Sequence, residues 1–170
     1  IVLLHDLVKS HHALSAPGGL FQPSGWGEAL IGPDRVLNPE ISYLVSPNLL
    51  GSPFGSTSPV SRVAGAAKPL GATFPQLTIE DMARGVAALL RGLKIRRARA
   101  LVGVGLGGMV ALRSAALFPD LVAAVITEGA FTSIPAMVRA SLPFVPTFAL
   151  ALRFDSLSKI ERVSARKLFI

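Results

Sequence analysis

A glycine-rich segment between two apolar runs is the part of the sequence whose spacing points most directly to chemistry. It reads Val-Gly-Val-Gly-Leu-Gly-Gly-Met over residues 102–109. Gly103 and Gly107 occupy the flanking positions of the pattern G-x-S-x-G, in which a sharp strand-to-helix turn exposes a serine nucleophile. Gly105 stands where that serine would be. Because glycine has no hydroxyl, the sequence predicts a turn of this kind without its nucleophile.

The same glycines also fit a second pattern with different chemistry. Gly103, Gly105 and Gly108 have the spacing G-x-G-x-x-G, which holds a dinucleotide pyrophosphate at the start of a helix. That pattern expects an acidic residue at the end of the next strand, about twenty positions on. Glu128 stands at such a position. Dinucleotide binding therefore stays open as a weaker alternative.

Other serines and the histidines offer only isolated candidates. The serines that could by chemistry replace the missing nucleophile are Ser10, Ser52, Ser56 and Ser114. None of them lies between glycines at a strand-to-helix turn. His5 ends an apolar run and is interpreted as a hydrogen-bonded structural histidine. His11 and His12 have no third ligand at convincing spacing, so no metal site is predicted. The chain has no cysteine, which excludes disulfides and thiolate chemistry.

Alternating strands and helices would position the glycine turn. Apolar runs predict buried strands at residues 1–5, 41–46, 98–104 and 121–127. A helix is predicted from Thr78, where Asp81 completes a capping-box pattern, and a second helix over residues 106–118. This order predicts a mostly parallel sheet with helices on both faces.

The chain divides into a predicted α/β core over residues 1–133 and a helical cap, lid or interface segment over residues 134–170. The most apolar stretch, residues 134–152, contains Arg139, Pro143 and Pro146, so it is not interpreted as a membrane span. Because the chain starts at Ile1 within an apolar run, we expect further N-terminal strands and a further C-terminal region in a longer protein.

Several short motifs, taken in order, resemble those of the homoserine O-acetyltransferase family of α/β-hydrolases. The glycine turn is similar to that family's G-G-S-M-G-G-M, with matches at Gly103, Gly107, Gly108 and Met109. Residues 4–12 resemble its H-A-L-T-G-S-H-H strand end, and residues 30–33 match L-I-G-P. Residues 47–59 resemble its N-V-L-G and G-S-T loop, and residues 74–82 match F-P-x-x-T-I-x-D-M. The resemblance runs to about residue 131 and implies an α/β-hydrolase fold.

The resemblance also implies a mechanism. In that family a serine takes an acetyl group from acetyl-CoA, with a histidine base, an aspartate, and two backbone N–H groups that hold the oxyanion. By position, those N–H groups belong to Leu7 and Leu106, and Gly105 is a vestigial nucleophile position. The acid and the histidine are expected beyond residue 170, from the chain order of the fold. Losing such a unit costs about six orders of magnitude in rate. No cofactor is predicted.

Positive charge is the clearest sign of a partner. The chain has 17 Lys and Arg against 10 Asp and Glu, a net charge of +7. A basic cluster follows the first predicted helix and consists of Arg91, Lys94, Arg96, Arg97 and Arg99. It could contact RNA phosphates without reading their sequence, or an acidic protein subunit, although a solvated helix end is the plainer alternative.

Two hypotheses about function follow. The first is a catalytically inactive homoserine O-acetyltransferase-like domain that serves as a structural or interaction subunit of a larger assembly. From the charge, that assembly is expected to be a mitochondrial or ribonucleoprotein complex, in the mitochondrial matrix or the cytoplasm. The alternative is an acyltransferase that moves an acetyl group from acetyl-CoA to homoserine or a related small alcohol.

Overall fold

A computed structural model describes residues 1–15, 25–130 and 160–170, and the single residues 133, 135, 138, 139 and 144. Its elements, in chain order, are β1 (Val2–Leu4), α1 (Ile79–Gly92), β2 (Leu101–Val104), α2 (Leu106–Leu117), β3 (Ala124–Glu128) and β4 (Arg166–Phe169). A single 3-10 turn at Gly71–Thr73 precedes α1. Both predicted helices and three of the predicted strands therefore form.

The strands make one parallel sheet in the order β1-β2-β3-β4. Leu4 lies beside Gly103, and Gly103 lies beside Thr127. Because parallel strands end at the same edge of a sheet, the glycine turn after β2 lies between the segments that follow β1 and β3. This register positions the candidate site.

The two helices pack on one face of the sheet. Their shared core includes Leu4, Leu90, Leu101, Leu112 and Val125, all of which are buried. In the described part of the chain, the opposite face is covered by loop residues instead of helices. A smaller cluster there contains Leu3, Ala13, Ile31 and Leu37. Alternate residues of β1 thus enter two different cores, as the two-residue period of a strand requires.

Helix α1 begins where its capping residues predict. Thr78 accepts a hydrogen bond from the Asp81 N–H at 3.1 Å, and the Thr78 N–H donates to the Asp81 carboxylate at 2.8 Å. A Glu80 carboxylate then joins the two helices, since it pairs with Arg84 on α1 and with Arg113 on α2. The capping box fixes where α1 begins. The ion pair between Glu80 and Arg113 links α1 to α2.

The strand predicted at residues 41–46 forms only a short ladder, with an isolated bridge between Val45 and Val2. Val45 donates to Ile1 at 2.9 Å, and Leu3 donates to Val45 at 2.8 Å. The next donor in a parallel ladder would be residue 47. That residue is Pro47, which has no N–H, so the pairing stops there.

The end of the predicted cap segment differs from the prediction. Residues 166–169 are not helical but form β4, which pairs with β3 in the core sheet. Val163 and Ala165 are buried in the same core as the helices. The strand begins with the exposed pair Arg166-Lys167, and the apolar run that follows, residues 168–170, is shorter than a run that predicts a buried strand. Most of the rest of the predicted cap lies outside the described residues. Within the described residues, no helix has the length and apolar character needed to cross a membrane.

Candidate functional site

The turn between β2 and α2 has the sharp geometry that the glycine pattern predicts. Gly105 has φ 53° and ψ −115°, a region that side-chain-bearing residues enter only at a cost. Its N–H donates to the Glu128 carbonyl at 2.9 Å, and its own carbonyl accepts from the Gly108 N–H at 3.1 Å. The helix starts at the next residue, so position 105 lies at the point of the bend.

The flanking glycines are required by packing. A Cβ on Gly103 would lie 2.5 Å from the carbonyl carbon of Gly107, and one on Gly107 would lie 2.8 Å from the His5 carbonyl oxygen. A Cβ on Gly108 would lie 2.9 Å from the Ala130 Cβ. Close approach of β1, β2 and α2 thus accounts for the glycine spacing, which needs no bound dinucleotide to explain it.

The Asp6 carboxylate occupies the turn itself. Asp6 follows β1, and its Oδ1 accepts a hydrogen bond from the Leu106 N–H at 2.9 Å. A Cβ on Gly105 would lie only 2.6 Å from the Asp6 Cγ. The N-terminal end of a helix favours a negative charge, so this carboxylate is well placed electrostatically. Asp6 therefore fills the space that a side chain at position 105 would need.

Sequence reasoning did not single out Asp6. Its role depends on a contact between residues 100 positions apart. One signal was available, since the resembling family carries alanine at the corresponding position of its H-A-L motif. The two residues that depart from the family motifs, Asp6 and Gly105, therefore lie next to each other at the turn.

His5 is held by two backbone groups. Its Nε2 accepts from the Leu49 N–H at 3.0 Å, and its Nδ1 lies 2.8 Å from the Asp6 carbonyl oxygen. An amide N–H only donates and a carbonyl only accepts, so these contacts require the neutral ring with its hydrogen on Nδ1. Burial lowers the pKa of His5, and the hydrogen bond to the Asp6 carbonyl opposes that effect. These contacts agree with a structural histidine.

The oxyanion positions predicted from the resemblance lie beside the turn. The Leu106 N–H starts α2 and is bonded to Asp6. Leu7 follows Asp6 directly, with its side chain 75% exposed. The role of these two N–H groups in holding an oxyanion stays a prediction.

The other candidate side chains lie away from the turn, most of them in local contacts, whereas the buried Ser114 hydroxyl has no hydrogen-bond partner among the described residues. Ser10 Oγ lies 3.1 Å from His12 Nδ1, and the rings of His11 and His12 stack with centroids 4.1 Å apart. Ser52 and Ser56 both hydrogen-bond to Asn48, whereas Ser114 is buried within α2. In the described ranges, no group of three potential metal ligands comes together.

The basic cluster lies at the opposite edge of the sheet from the glycine turn. Its first member lies in the last turn of α1 and the others between α1 and β2, and all are exposed: Arg91, Lys94, Arg96, Arg97 and Arg99. Ile95, in their midst, donates its N–H to the Leu90 carbonyl at 2.8 Å, which fixes the turn. Arg91 also lies over the Phe118 ring, 5.1 Å from its centroid. A partner for this cluster stays a prediction.

Comparisons with known proteins match the chain at the level of sequence. A family model for the alpha/beta hydrolase fold matches residues 43–163. The homoserine O-acetyltransferase of Thermus thermophilus is 40% identical over 133 residues, covering 72% of this chain and 35% of that protein. The homoserine O-succinyltransferase of Bordetella avium is 37% identical over 123 residues, covering 72% of this chain and 30% of that protein. The chain thus spans about a third of the length of the curated relatives it matches.

Solved structures match it as well. The homoserine O-acetyltransferase from Bacillus anthracis superposes with a TM-score of 0.67 and 25% identity, over 75% of this chain and 36% of that one. An esterase superposes with a TM-score of 0.73 and 27% identity, over 84% of this chain and 40% of that one.

Proposed function

This chain belongs to the α/β-hydrolase fold family, and we propose that it is a homoserine O-acyltransferase-type domain that forms no acyl-enzyme at its glycine turn. The predicted parallel fold and the resemblance to homoserine O-acetyltransferases are confirmed by the family and relatives that match. The observation that carries the proposal is Gly105 at the point of the bend, where the chemistry needs a hydroxyl.

The surroundings of Gly105 support the same proposal. An acyl-enzyme needs an oxygen nucleophile at the bend and backbone donors aimed at the developing oxyanion. The donor at the start of α2, the Leu106 N–H, is already bonded to the Asp6 carboxylate. An oxyanion at the same place would meet a like charge, which is electrostatically unfavourable.

The interaction role of the domain is the finer part of the proposal. The core of the sheet and the two helices is intact without a nucleophile, because packing and chemistry depend on different residues. The exposed basic cluster supports contact with an acidic protein subunit or with RNA phosphates. A mitochondrial or cytoplasmic assembly remains a proposal from charge.

The second candidate function is acyl transfer to homoserine, and the comparisons support it better than they support an inactive subunit. The matching relatives are named homoserine O-acetyltransferases and O-succinyltransferases at 37–40% identity. In such an enzyme the nucleophile would have to come from a displaced residue or from another chain. This candidate therefore depends on groups that the glycine turn does not supply.

Intact-mass spectrometry separates the two candidates. The full-length protein is incubated with acetyl-CoA, with and without homoserine, and the Thermus thermophilus relative serves as the positive control. We expect no acetylated protein and no O-acetylhomoserine, because position 105 offers no hydroxyl. An acetyl adduct on the unaltered protein, or product above the enzyme-free rate, would decide for the acyltransferase.

A further inference from the structure

The Asp6 carboxylate affects the glycine turn in a way that the missing serine alone does not explain. Resting on the proposed function, we propose that Asp6 and Gly105 form a matched pair, in which the Asp6 carboxylate acts as a built-in occupant of the turn. Where it lies, it fills the place of a side chain at position 105 and withholds the Leu106 N–H from any acyl oxyanion. The missing nucleophile at position 105 and the occupied Leu106 N–H would then both have to be reversed before an acyl-enzyme could form at this turn.

Two independent observations place the carboxylate in the turn. Its Oδ1 accepts from the Leu106 N–H at 2.9 Å. A Cβ added to Gly105 would lie 2.6 Å from the Asp6 Cγ and 3.1 Å from the Asp6 Oδ2. Real Cβ atoms essentially never approach another atom below 3.0 Å, so a side chain at position 105 would require the Asp6 carboxylate to leave its place and give up the Leu106 N–H.

Hydrogen bonds hold the backbone around Asp6 in place, so the backbone cannot easily move the carboxylate out of the turn. His5 bonds to Leu49 on one side and to the Asp6 carbonyl on the other. That carbonyl also accepts the Lys9 N–H at 3.0 Å. Two residues earlier, Leu4 is in register with Gly103 of β2. The carboxylate is therefore presented to the turn by a fixed segment.

An external oxyanion would compete with this carboxylate at a disadvantage. The Asp6 carboxylate belongs to the same chain, so it binds the Leu106 N–H without losing translational freedom. The helix end that favours one negative charge would have to accept a second one beside it. Serine at position 105 would thus need either a displaced Asp6 carboxylate or a small residue at position 6, such as the alanine of the resembling family.

A stability cycle tests the pair. The variants are Asp6→Ala, Gly105→Ala and the double variant, compared with the unaltered protein by thermal unfolding. Gly71→Ala is the matched control, because Gly71 has φ +52° and no atom within 4 Å of an added Cβ. It reports the cost of a positive φ without a clash.

The expected result is a coupled loss. With Asp6 present, Gly105→Ala should lower Tm by roughly twice as much as Gly71→Ala, since overpacking adds to the strain. With Asp6→Ala, the two losses should become similar. Equal losses for Gly105→Ala in both backgrounds would overturn the matched pair. These outcomes are independent of acetylation, so the proposed function and this inference can fail separately.

Nuclear magnetic resonance of the Leu106 amide gives a second readout that needs no change at position 105. A charge-assisted hydrogen bond to Asp6 should move its proton resonance downfield. We expect Asp6→Ala to remove that displacement. Asp120→Ala is the control, since its exposed carboxylate follows the other end of α2 and should leave the resonance in place. A Leu106 amide unchanged by Asp6→Ala would overturn the proposal even if the Gly105 variants did not fold.

Discussion

Among single residues, His5 gives the protein a measurable response to pH. The ring is 1% exposed and both of its nitrogens are bonded to the backbone, with the neutral form required. Burial lowers the pKa of His5 below its ordinary 6.5 in the folded chain. As the pH falls below about 6.5, the unfolded chain therefore binds the proton first, and the free energy of unfolding decreases. Above that pH, the contribution of His5 to the free energy of unfolding is fully present.

Urea denaturation at a series of pH values tests this response. In His5→Gln, which retains a neutral acceptor, the decline of the free energy of unfolding below about pH 6.5 should be smaller than in the unaltered protein. His12→Gln is the control, because His12 is exposed in the loop. A decline of the same size in His5→Gln and the unaltered protein would contradict this account.

At the scale of elements, the close approach of β2 to α2 predicts the effect of a single methyl group. Gly103→Ala would set a Cβ 2.5 Å from backbone carbon of Gly107, and backbone cannot move aside as a side chain can. We expect a loss of about 1–3 kcal/mol in the free energy of unfolding, typical of overpacked cores. Gly92→Ala, near which nothing lies within 4 Å, should cost nothing measurable. Equal stability of the two variants in denaturant titrations would refute the packing role.

The elements also show how far the sequence could be interpreted. Helix α1 was predictable because its start depends on Thr78 and Asp81, which are three residues apart and bond to each other. Strand β4 was not, because it begins with Arg166-Lys167 and the apolar run after them, residues 168–170, is too short to predict a strand. Its pairing with β3 is a tertiary contact. The Asp6 contact with Leu106 could not be derived either, since it joins the segment after β1 to the start of α2, which only the sheet brings together.

For the molecule as a whole, the basic cluster makes a prediction about binding. It places five exposed cations on the edge of the sheet opposite to the glycine turn: Arg91, Lys94, Arg96, Arg97 and Arg99. If they contact RNA phosphates, the logarithm of the binding constant should fall linearly with the logarithm of salt concentration, with a slope of about −0.7 per phosphate contacted on single strands. Homopolymers of different sequence should bind alike, because no aromatic residue alternates with these cations along the sequence.

Fluorescence anisotropy at several salt concentrations measures this prediction. Changing Arg96, Arg97 and Arg99 to Glu should weaken binding and flatten the salt slope. Changing Arg35, Arg62 and Lys68 to Glu alters three exposed cations elsewhere and makes the same change in net charge. RNA binding that the first variant leaves intact would exclude the cluster as the contact surface. No binding by the unaltered protein would favour the acidic subunit as its partner.

The packing of Gly103, Gly107 and Gly108 has a consequence for how such domains are recognised. These residues are kept small by the neighbouring backbone and by Ala130, and that demand persists in a descendant with no reaction to perform. Selection for stability alone would preserve the spacing. A sequence search based on these glycines will therefore find catalytically inactive and active relatives together. On the function proposed above, the distinguishing residues are Gly105 at the bend and Asp6, which follows the adjacent strand β1.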